Sequence, residues 1–110
     1  MADRFHKMHG LGNDFVLIDA REHPVEMTAA RARAIADRRT GIGFDQLILI
    51  EPSDTADAKL RFFNADGSEV GACGNGTRAA ALFIGGDATL ETDGGLLSAT
   101  TANGLASVNM

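Results

Sequence analysis

An almost wholly apolar segment sets the tightest limit on the fold of this chain. It follows Asn75 and reads Ala-Ala-Ala-Leu-Phe-Ile over residues 79–84, just before the Gly85-Gly86 pair. A helix that is apolar on all sides has to be enclosed by other elements. We therefore predict a buried central helix over residues 75–84, whose small alanines let strands approach closely.

Other patterns along the chain supply the enclosing elements. They predict strands at residues 5–8, 15–19, 47–50, 60–63, 88–92, 96–101 and 105–109. The Asn103-Gly104 pair between the last two strands is a strong hairpin signal. Thr28 can cap another helix that continues through Arg39 and ends at Gly41-Ile-Gly43. Together these segments predict a strand-rich α+β domain wrapped around one buried helix.

Composition limits the class of protein. A chain of 110 residues with 45% hydrophobic content is expected to form one compact domain, residues 1–110. The net charge of -5 argues against a nucleic-acid partner, and no apolar run approaches the length of a membrane span. We therefore expect a soluble cytoplasmic protein. The only cysteine, Cys73, cannot form an internal disulfide, which agrees with a reducing compartment.

Cys73 lies just before the predicted central helix. A cysteine at such a position is exposed to the positive end of the helix dipole and to unpaired backbone N–H groups, and both favour the thiolate. Gly74 and Gly76 carry no side chain, so a carboxylate could reach the same N–H groups. A free cysteine can also be a small buried apolar residue. The Gly-Asn-Gly sequence after Cys73 is poor core packing and favours a reactive thiol.

Four neutral amide side chains lie in or next to predicted turns and strand ends, namely Asn13, Gln46, Asn64 and Asn75. Amides both donate and accept hydrogen bonds, which suits a zwitterionic amino acid. An asparagine in a turn often serves only the backbone conformation, so each amide alone is weak evidence. No spacing of His6, His9 or His23 with cysteines or carboxylates completes a metal site. The glycine pairs also lack the remaining residues of nucleotide-binding loops.

Three ordered blocks resemble the signature blocks of the diaminopimelate epimerase family. They are Met8-His-Gly-Leu-Gly-Asn-Asp-Phe-Val-Leu-Ile-Asp19, Gly41-Ile-Gly-Phe-Asp-Gln-Leu47, and Phe63-Asn-Ala-Asp-Gly-Ser-Glu-Val70 followed by Cys73-Gly-Asn-Gly-Thr-Arg78. The resemblance covers essentially the whole chain and implies the amino-terminal half of a two-domain fold. Each half of that fold is a mixed β-sheet curled around a central helix, and the substrate is enclosed between the halves.

The resemblance also implies an activity. The family interconverts LL- and meso-diaminopimelate, on the route to lysine and peptidoglycan precursors, without pyridoxal phosphate or another cofactor. One cysteine thiolate removes the α-proton, while a second cysteine thiol delivers a proton to the opposite face. By position, Cys73 corresponds to the first catalytic cysteine. The positions that correspond to substrate contacts are Asn13, Gln46, Asn64, Gly74 and Asn75.

The partners implied are the small molecule diaminopimelate and a source of the second cysteine. In the family that cysteine belongs to a carboxy-terminal domain, so the partner would be that missing domain or a second copy of the chain. We expect a homodimer. Two alternatives stay open: a half-size racemase whose symmetric homodimer brings two Cys73 thiols together, and a non-catalytic amino-acid-binding or redox-sensitive thiol module.

Overall fold

Eight strands and two helices form the part of the chain that the computed structural model describes, which is residues 5–10, 12–71, 74–93, 95–102 and 105–109. The elements are β1 (Phe5–Gly10), β2 (Asn13–Asp19), α1 (Ala29–Ala36), β3 (Gln46–Glu51), β4 (Ala58–Asn64), β5 (Glu69–Val70), α2 (Gly74–Ile84), β6 (Asp87–Thr92), β7 (Gly95–Ala102) and β8 (Leu105–Asn109). Cys73 and the Asn103-Gly104 turn lie outside the described residues. The strands that flank this turn pair antiparallel, as the hairpin signal predicts.

The strands form one mixed sheet in the order β1-β2-β3-β4-β6-β7-β8, with β5 paired to β4 outside this path. Two neighbouring pairs, β2–β3 and β4–β6, are parallel, and the others are antiparallel. Helix α2 contacts strands from both ends of this order, including β1 and β8. A flat sheet could not bring both ends to one helix. The sheet therefore curls around α2, which confirms the predicted fold class.

The two faces of the sheet have separate cores. Strand alternation directs Leu17, Ile48 and Phe62 toward α2, where they pack with Ala79, Ala80 and other buried residues. The neighbouring residues on the same strands point the opposite way. Val16, Leu47 and Phe63 pack with Ala32 and Ala36 of α1. Each of the central strands β2, β3 and β4 is therefore covered on both faces, which explains the nearly continuous apolar runs Phe-Val-Leu-Ile and Leu-Ile-Leu-Ile.

Enclosure of α2 is less complete at its carboxyl end than the apolar sequence suggests. Residues from Gly76 to Ala81 supply the buried part of the helix, whereas Leu82, Phe83 and Ile84 are only half-buried. The ring of Phe83 packs against that of His6 on β1, with centroids 4.6 Å apart and ring planes tilted by 50°. The alanines lie against the curled sheet. The larger side chains follow at the carboxyl end of the helix, where Phe83 lies beside the edge strand β1.

Helix α1 is shorter than predicted. It begins after the cap Thr28, whose Oγ1 accepts the Arg31 N–H at 3.1 Å, but it ends at Ala36 rather than Arg39. Oδ1 of Asp37 accepts the backbone N–H groups of Arg39 (2.8 Å) and Thr40 (3.1 Å), and Asp37 itself has an extended backbone. Local bonds of this kind compete with helical ones. The carboxylate of Asp37 thus terminates the helix before the glycines do.

Candidate functional site

Three of the predicted site residues lie at one edge of the sheet. Phe15 of β2 is paired with Gln46 of β3 in parallel register, and Gln46 is paired with Asn64 of β4 in antiparallel register. Asn13 is the first residue of β2, two positions before Phe15. The starts of β2 and β3 and the end of β4 therefore meet. Gln46 and Asn64 are direct partners on strands that lie about 5 Å apart, and Asn13 lies two positions along β2 from the partner of Gln46.

Strand alternation places these three residues on the face that carries α2. Asn13 has the same parity as Phe15 and Leu17, Gln46 has that of Ile48, and Asn64 has that of Phe62, all of which belong to the α2 core. Three amide side chains are therefore directed toward the concave side of the sheet. They are expected near the beginning of α2, where the apolar core ends.

Gln46 contacts the first turn of α2. A Cβ atom placed on Gly76 would be 3.2 Å from Gln46 Oε1, 3.2 Å from Phe62 Cε1 and 3.3 Å from Ile48 Cδ1. The helix therefore approaches the sheet as closely as it does because residue 76 has no side chain. Gln46 Oε1 is buried and has no hydrogen-bond partner within the described part of the chain. This oxygen has less than 1 Å² of accessible surface, because the first turn of α2 covers it at Gly76.

Asn64 links Gln46 to the following turn. Gln46 Nε2 lies 3.5 Å from Asn64 Oδ1, and Asn64 Nδ2 donates to Ser68 Oγ at 3.2 Å. Ser68 Oγ in turn donates to Asp66 Oδ1 at 2.6 Å. The backbone closes the same turn, because Asn64 N–H donates to the Ser68 carbonyl at 2.8 Å. Asn64 is therefore held at the site by both its backbone and its side chain.

The remaining predicted site residues belong to the start of α2. Gly74 and Asn75 are its first two residues and are half-buried, and the Asn75 side chain accepts a hydrogen bond from Arg78. No acidic side chain occupies the first turn of this helix. The first N–H groups of a helix have no intrahelical partner, so this end can hold an anion. Cys73 precedes Gly74 directly in sequence and lies outside the described residues.

A cluster of hydrogen-bonded polar side chains on the opposite face was missed by the sequence analysis. We call it the aspartate bridge: Asp14, Asp45, Arg38 and His9. Arg38 donates to Asp14 Oδ2 at 3.1 Å and to Asp45 Oδ1 at 3.3 Å, and His9 Nδ1 contacts Asp14 Oδ1. Asp14 N–H also donates to Asp45 Oδ2 at 2.8 Å, and Asp45 N–H to the Asp14 carbonyl at 2.9 Å.

The aspartate bridge joins the chain segment that contains Asn13 to the one that contains Gln46. Asp14 follows Asn13, and Asp45 precedes Gln46, so alternation puts each carboxylate on the face away from α2. Hydrogen bonds from His9 and then Arg38 hold the pKa of the Asp14 carboxyl below its ordinary value. The available signal was the position of each aspartate beside a predicted contact residue, but only the strand register shows that the two meet.

Among the residues that the structure describes, no group of three histidine, cysteine, aspartate or glutamate side chains could hold a metal ion. Likewise, no helix in the described ranges is long and apolar enough to cross a membrane.

Solved structures of low sequence identity share the fold. A PhzF-family phenazine biosynthesis protein from Bacillus anthracis gives a TM-score of 0.64 at 22% identity, over 96% of this chain and 38% of that chain. A hydroxyproline epimerase from Agrobacterium vitis, solved with bound trans-4-OH-L-proline, also gives 0.64, at 16% identity, over 96% of this chain and 40% of that chain. The curled sheet around α2 is thus the fold of a class that includes epimerases and phenazine biosynthesis proteins.

Sequence comparison identifies the family within this class. The profile of the diaminopimelate epimerase family matches residues 5–110. The chain is 66% identical over 111 residues to the diaminopimelate epimerase of Rhizorhabdus wittichii, and 67% identical over 110 residues to that of Sphingopyxis alaskensis. The chain therefore belongs to the diaminopimelate epimerase family, a family of isomerases. Both matches cover 100% of this chain, which spans 40% and 41% of the length of these relatives.

Proposed function

We propose that this chain contributes one face of the active site of a diaminopimelate epimerase, an enzyme that converts LL- to meso-diaminopimelate without pyridoxal phosphate. In this proposal Cys73 is one of two catalytic cysteines. Asn13, Gln46, Asn64, Gly74 and Asn75 bind the substrate. The chain acts in the biosynthesis of lysine and peptidoglycan precursors.

One observation carries the proposal. Three amide side chains from adjacent strands lie on the concave face beside the first turn of α2. The arrangement offers hydrogen-bond acceptors on the sheet and N–H donors on the helix, which together suit the ammonium and carboxylate groups of an amino acid.

The proposed chemistry is a pair of proton transfers at the substrate α-carbon. The thiolate of one cysteine takes the α-proton and becomes a thiol, and the electron pair of the broken C–H bond stays on the carbon and its carboxylate. The thiol of the other cysteine gives its proton to the opposite face and becomes a thiolate. Helix N–H groups aimed at the carboxylate would stabilise the negative charge that develops there. Because the chain contains one cysteine, the second thiol has to come from outside it.

A fusion protein tests this proposal. Residues 1–110 are joined to the part of the Rhizorhabdus wittichii relative that follows its matching region, and the product is incubated with LL-diaminopimelate in D2O. We expect loss of the α-proton signal by NMR together with formation of the meso isomer. Changing Cys73 to Ser in the fusion should lower the rate by at least about 100-fold, because an alcohol is a far weaker proton-transfer group than a thiolate.

Controls separate a chemical defect from a folding defect. The Cys73→Ser fusion should keep its far-ultraviolet circular dichroism and its binding of diaminopimelate. A folded fusion without proton exchange, measured beside an active Rhizorhabdus wittichii enzyme, would contradict the proposal. Exchange by the 110-residue chain alone, lost in Cys73→Ser, would instead favour the symmetric homodimer.

A further inference from the structure

The side chain of Asn75 can present either its oxygen or its NH2 group at the start of α2, and the two groups bind different ligands. We infer that Arg78 is a positioning residue that fixes this choice. It holds the Asn75 oxygen and leaves the NH2 group as a further donor for a substrate carboxylate. This inference rests on the proposed function, since it concerns the same site and the same substrate.

The two residues lie on one face of α2. Asn75 is the second residue of the helix and Arg78 follows three positions later, so their side chains are neighbours on its surface. A helical side chain leans toward the amino terminus of its helix, which brings the Arg78 guanidinium back over the first turn. There its Nη2 donates to Asn75 Oδ1, and both residues are half-buried. The hydrogen bond therefore lies at the end of α2 where the proposed substrate binds.

The direction of this hydrogen bond follows from the chemistry of arginine. A guanidinium group has N–H donors and no acceptor. Turning the Asn75 amide over would place its NH2 group against these donors, with no acceptor between them. The oxygen and nitrogen of an amide are assigned from such networks, and this one ends in a group that can only donate. The oxygen of Asn75 therefore faces Arg78.

The NH2 group of Asn75 is left for a ligand. It makes no hydrogen bond to the described residues. It is also not among their buried polar atoms without a partner, in contrast to Gln46 Oε1. Because the oxygen of the same amide accepts from a charged donor, the amide is polarised and its NH2 group becomes a stronger donor. Asn75 therefore adds a side-chain donor to the N–H groups of the first turn.

The charges around Arg78 favour an anion at this end of the helix. Arg21, Arg38 and Arg61 pair with carboxylates. No ion pair among the described residues includes Arg78, whose partner is a neutral amide. The first turn of α2 has no acidic side chain either. The guanidinium and the helix dipole therefore act in the same direction as the NH2 group, and a carboxylate fits all three.

Kinetics of the fusion protein test the role of Arg78. We expect Arg78→Met, which keeps a long side chain without donors, to raise KM for LL-diaminopimelate at least about tenfold, with a smaller change in kcat. The reason is that a donor to a charged group loses its fixed orientation. Arg78→Lys keeps a side chain that can only donate and should recover much of the affinity. Arg39→Met is the matched control, since it removes the same charge from an exposed side chain. Its KM should remain that of the unmodified fusion.

A double-mutant cycle distinguishes positioning from a separate effect of the charge. Asn75→Ala removes the NH2 group and should raise KM. If Arg78 acts through Asn75, Arg78→Met should add little to this increase in the Asn75→Ala background. An increase there as large as in the unmodified fusion would overturn the inference. Asn75→Asp keeps the acceptor for Arg78 and loses only the donor, so an unchanged KM in this variant would also overturn it.

An NMR measurement on the 110-residue chain separates failure of this inference from failure of the proposed function. The side-chain NH2 signal of Asn75, identified by its loss in Asn75→Ala, should shift in Arg78→Met, because the oxygen of the same amide loses its donor. The signal should stay in place in Arg39→Met. An Asn75 signal that Arg78→Met leaves unchanged would overturn the inference, whether or not the fusion is active. A shifted signal beside an inactive fusion would support the role of Arg78 and contradict the proposed function.

Discussion

Replacing Gly41 by Ala should destabilise the domain through a collision with the end of α1. A Cβ atom at residue 41 would be 2.3 Å from the carbonyl oxygen of Ala34, 2.7 Å from that of Ile35 and 2.9 Å from that of Asp37. Contacts between carbon and carbonyl oxygen are normally no shorter than about 3.3 Å. All three atoms belong to the backbone, so no side-chain rotation can relieve the overlap.

The size of the effect follows from the bonds that have to break. Moving residue 41 away by about 1 Å would disturb three hydrogen bonds, which run from Gly41 N–H to Asp37 O (2.8 Å) and from the N–H groups of Ile42 and Gly43 to Ile35 O (both 2.9 Å). At about 1 kcal/mol each, the loss is about 3 kcal/mol. Alanine restricts the unfolded chain and returns about 0.4–1 kcal/mol. We expect a net loss of about 2 kcal/mol in the free energy of unfolding.

Urea unfolding followed by far-ultraviolet circular dichroism measures this loss, since the chain has no tryptophan or tyrosine for fluorescence. Gly71→Ala is the control. Its Cβ would lie 3.6 Å from the Asp93 Cβ, an ordinary contact, so its stability should stay within about 0.5 kcal/mol of wild type. A Gly41→Ala protein as stable as Gly71→Ala would refute the steric argument.

Two further changes test other local interactions. Thr28→Ala removes the oxygen that accepts the Arg31 N–H and should cost about 1 kcal/mol in urea unfolding, whereas Thr28→Ser should cost only a few tenths. Glu69→Gln should cost less than about 1 kcal/mol at neutral pH, because the Glu69–Arg61 pair, with two bonds of 2.9 Å, is partly exposed. Arg61 lowers the pKa of the Glu69 carboxyl, so its contribution is present above the ordinary carboxyl pKa and is lost as the pH falls through the lowered one. The difference between wild type and Glu69→Gln should therefore shrink as the pH falls below the ordinary carboxyl pKa, and a difference that does not shrink in acid would contradict the ion-pair explanation.

The sequence predicted the elements better than it predicted their contacts. All seven predicted strands are present, because apolar runs identify the central ones and turn residues delimit the others, and most extend one or two residues further. Strand β5 was missed because it has only two residues, Glu69–Val70. These residues pair with Phe62 and Phe63 of β4, and the Glu69 side chain accepts a hydrogen bond from Arg61, eight positions away in sequence. A pattern within two residues cannot reveal a bond of that kind.

The candidate site shows the same limit. Asn13, Gln46 and Asn64 were chosen individually, from turns and from the resemblance to a family, and their roles in binding stay predictions. Their convergence depends on the parallel pairing of β2 with β3 and on the antiparallel pairing of β3 with β4. Neither register can be read from local composition. The aspartate bridge was missed for this reason, since Arg38 and Asp14 are 24 positions apart.

The aspartate bridge has a consequence for how this family tolerates mutation. In Asn13-Asp14 and in Asp45-Gln46, the side chains of neighbouring residues point to opposite faces of one sheet. Substitutions at Asp14 and Asp45 should lower stability and protein abundance, whereas under the proposed function substitutions at Asn13 and Gln46 should lower the turnover of the fusion protein without lowering its abundance. A saturation library of the fusion protein, scored separately for abundance and for growth without diaminopimelate, should show both effects at alternating positions. The alternation arises because successive side chains of a strand point to opposite faces of the sheet.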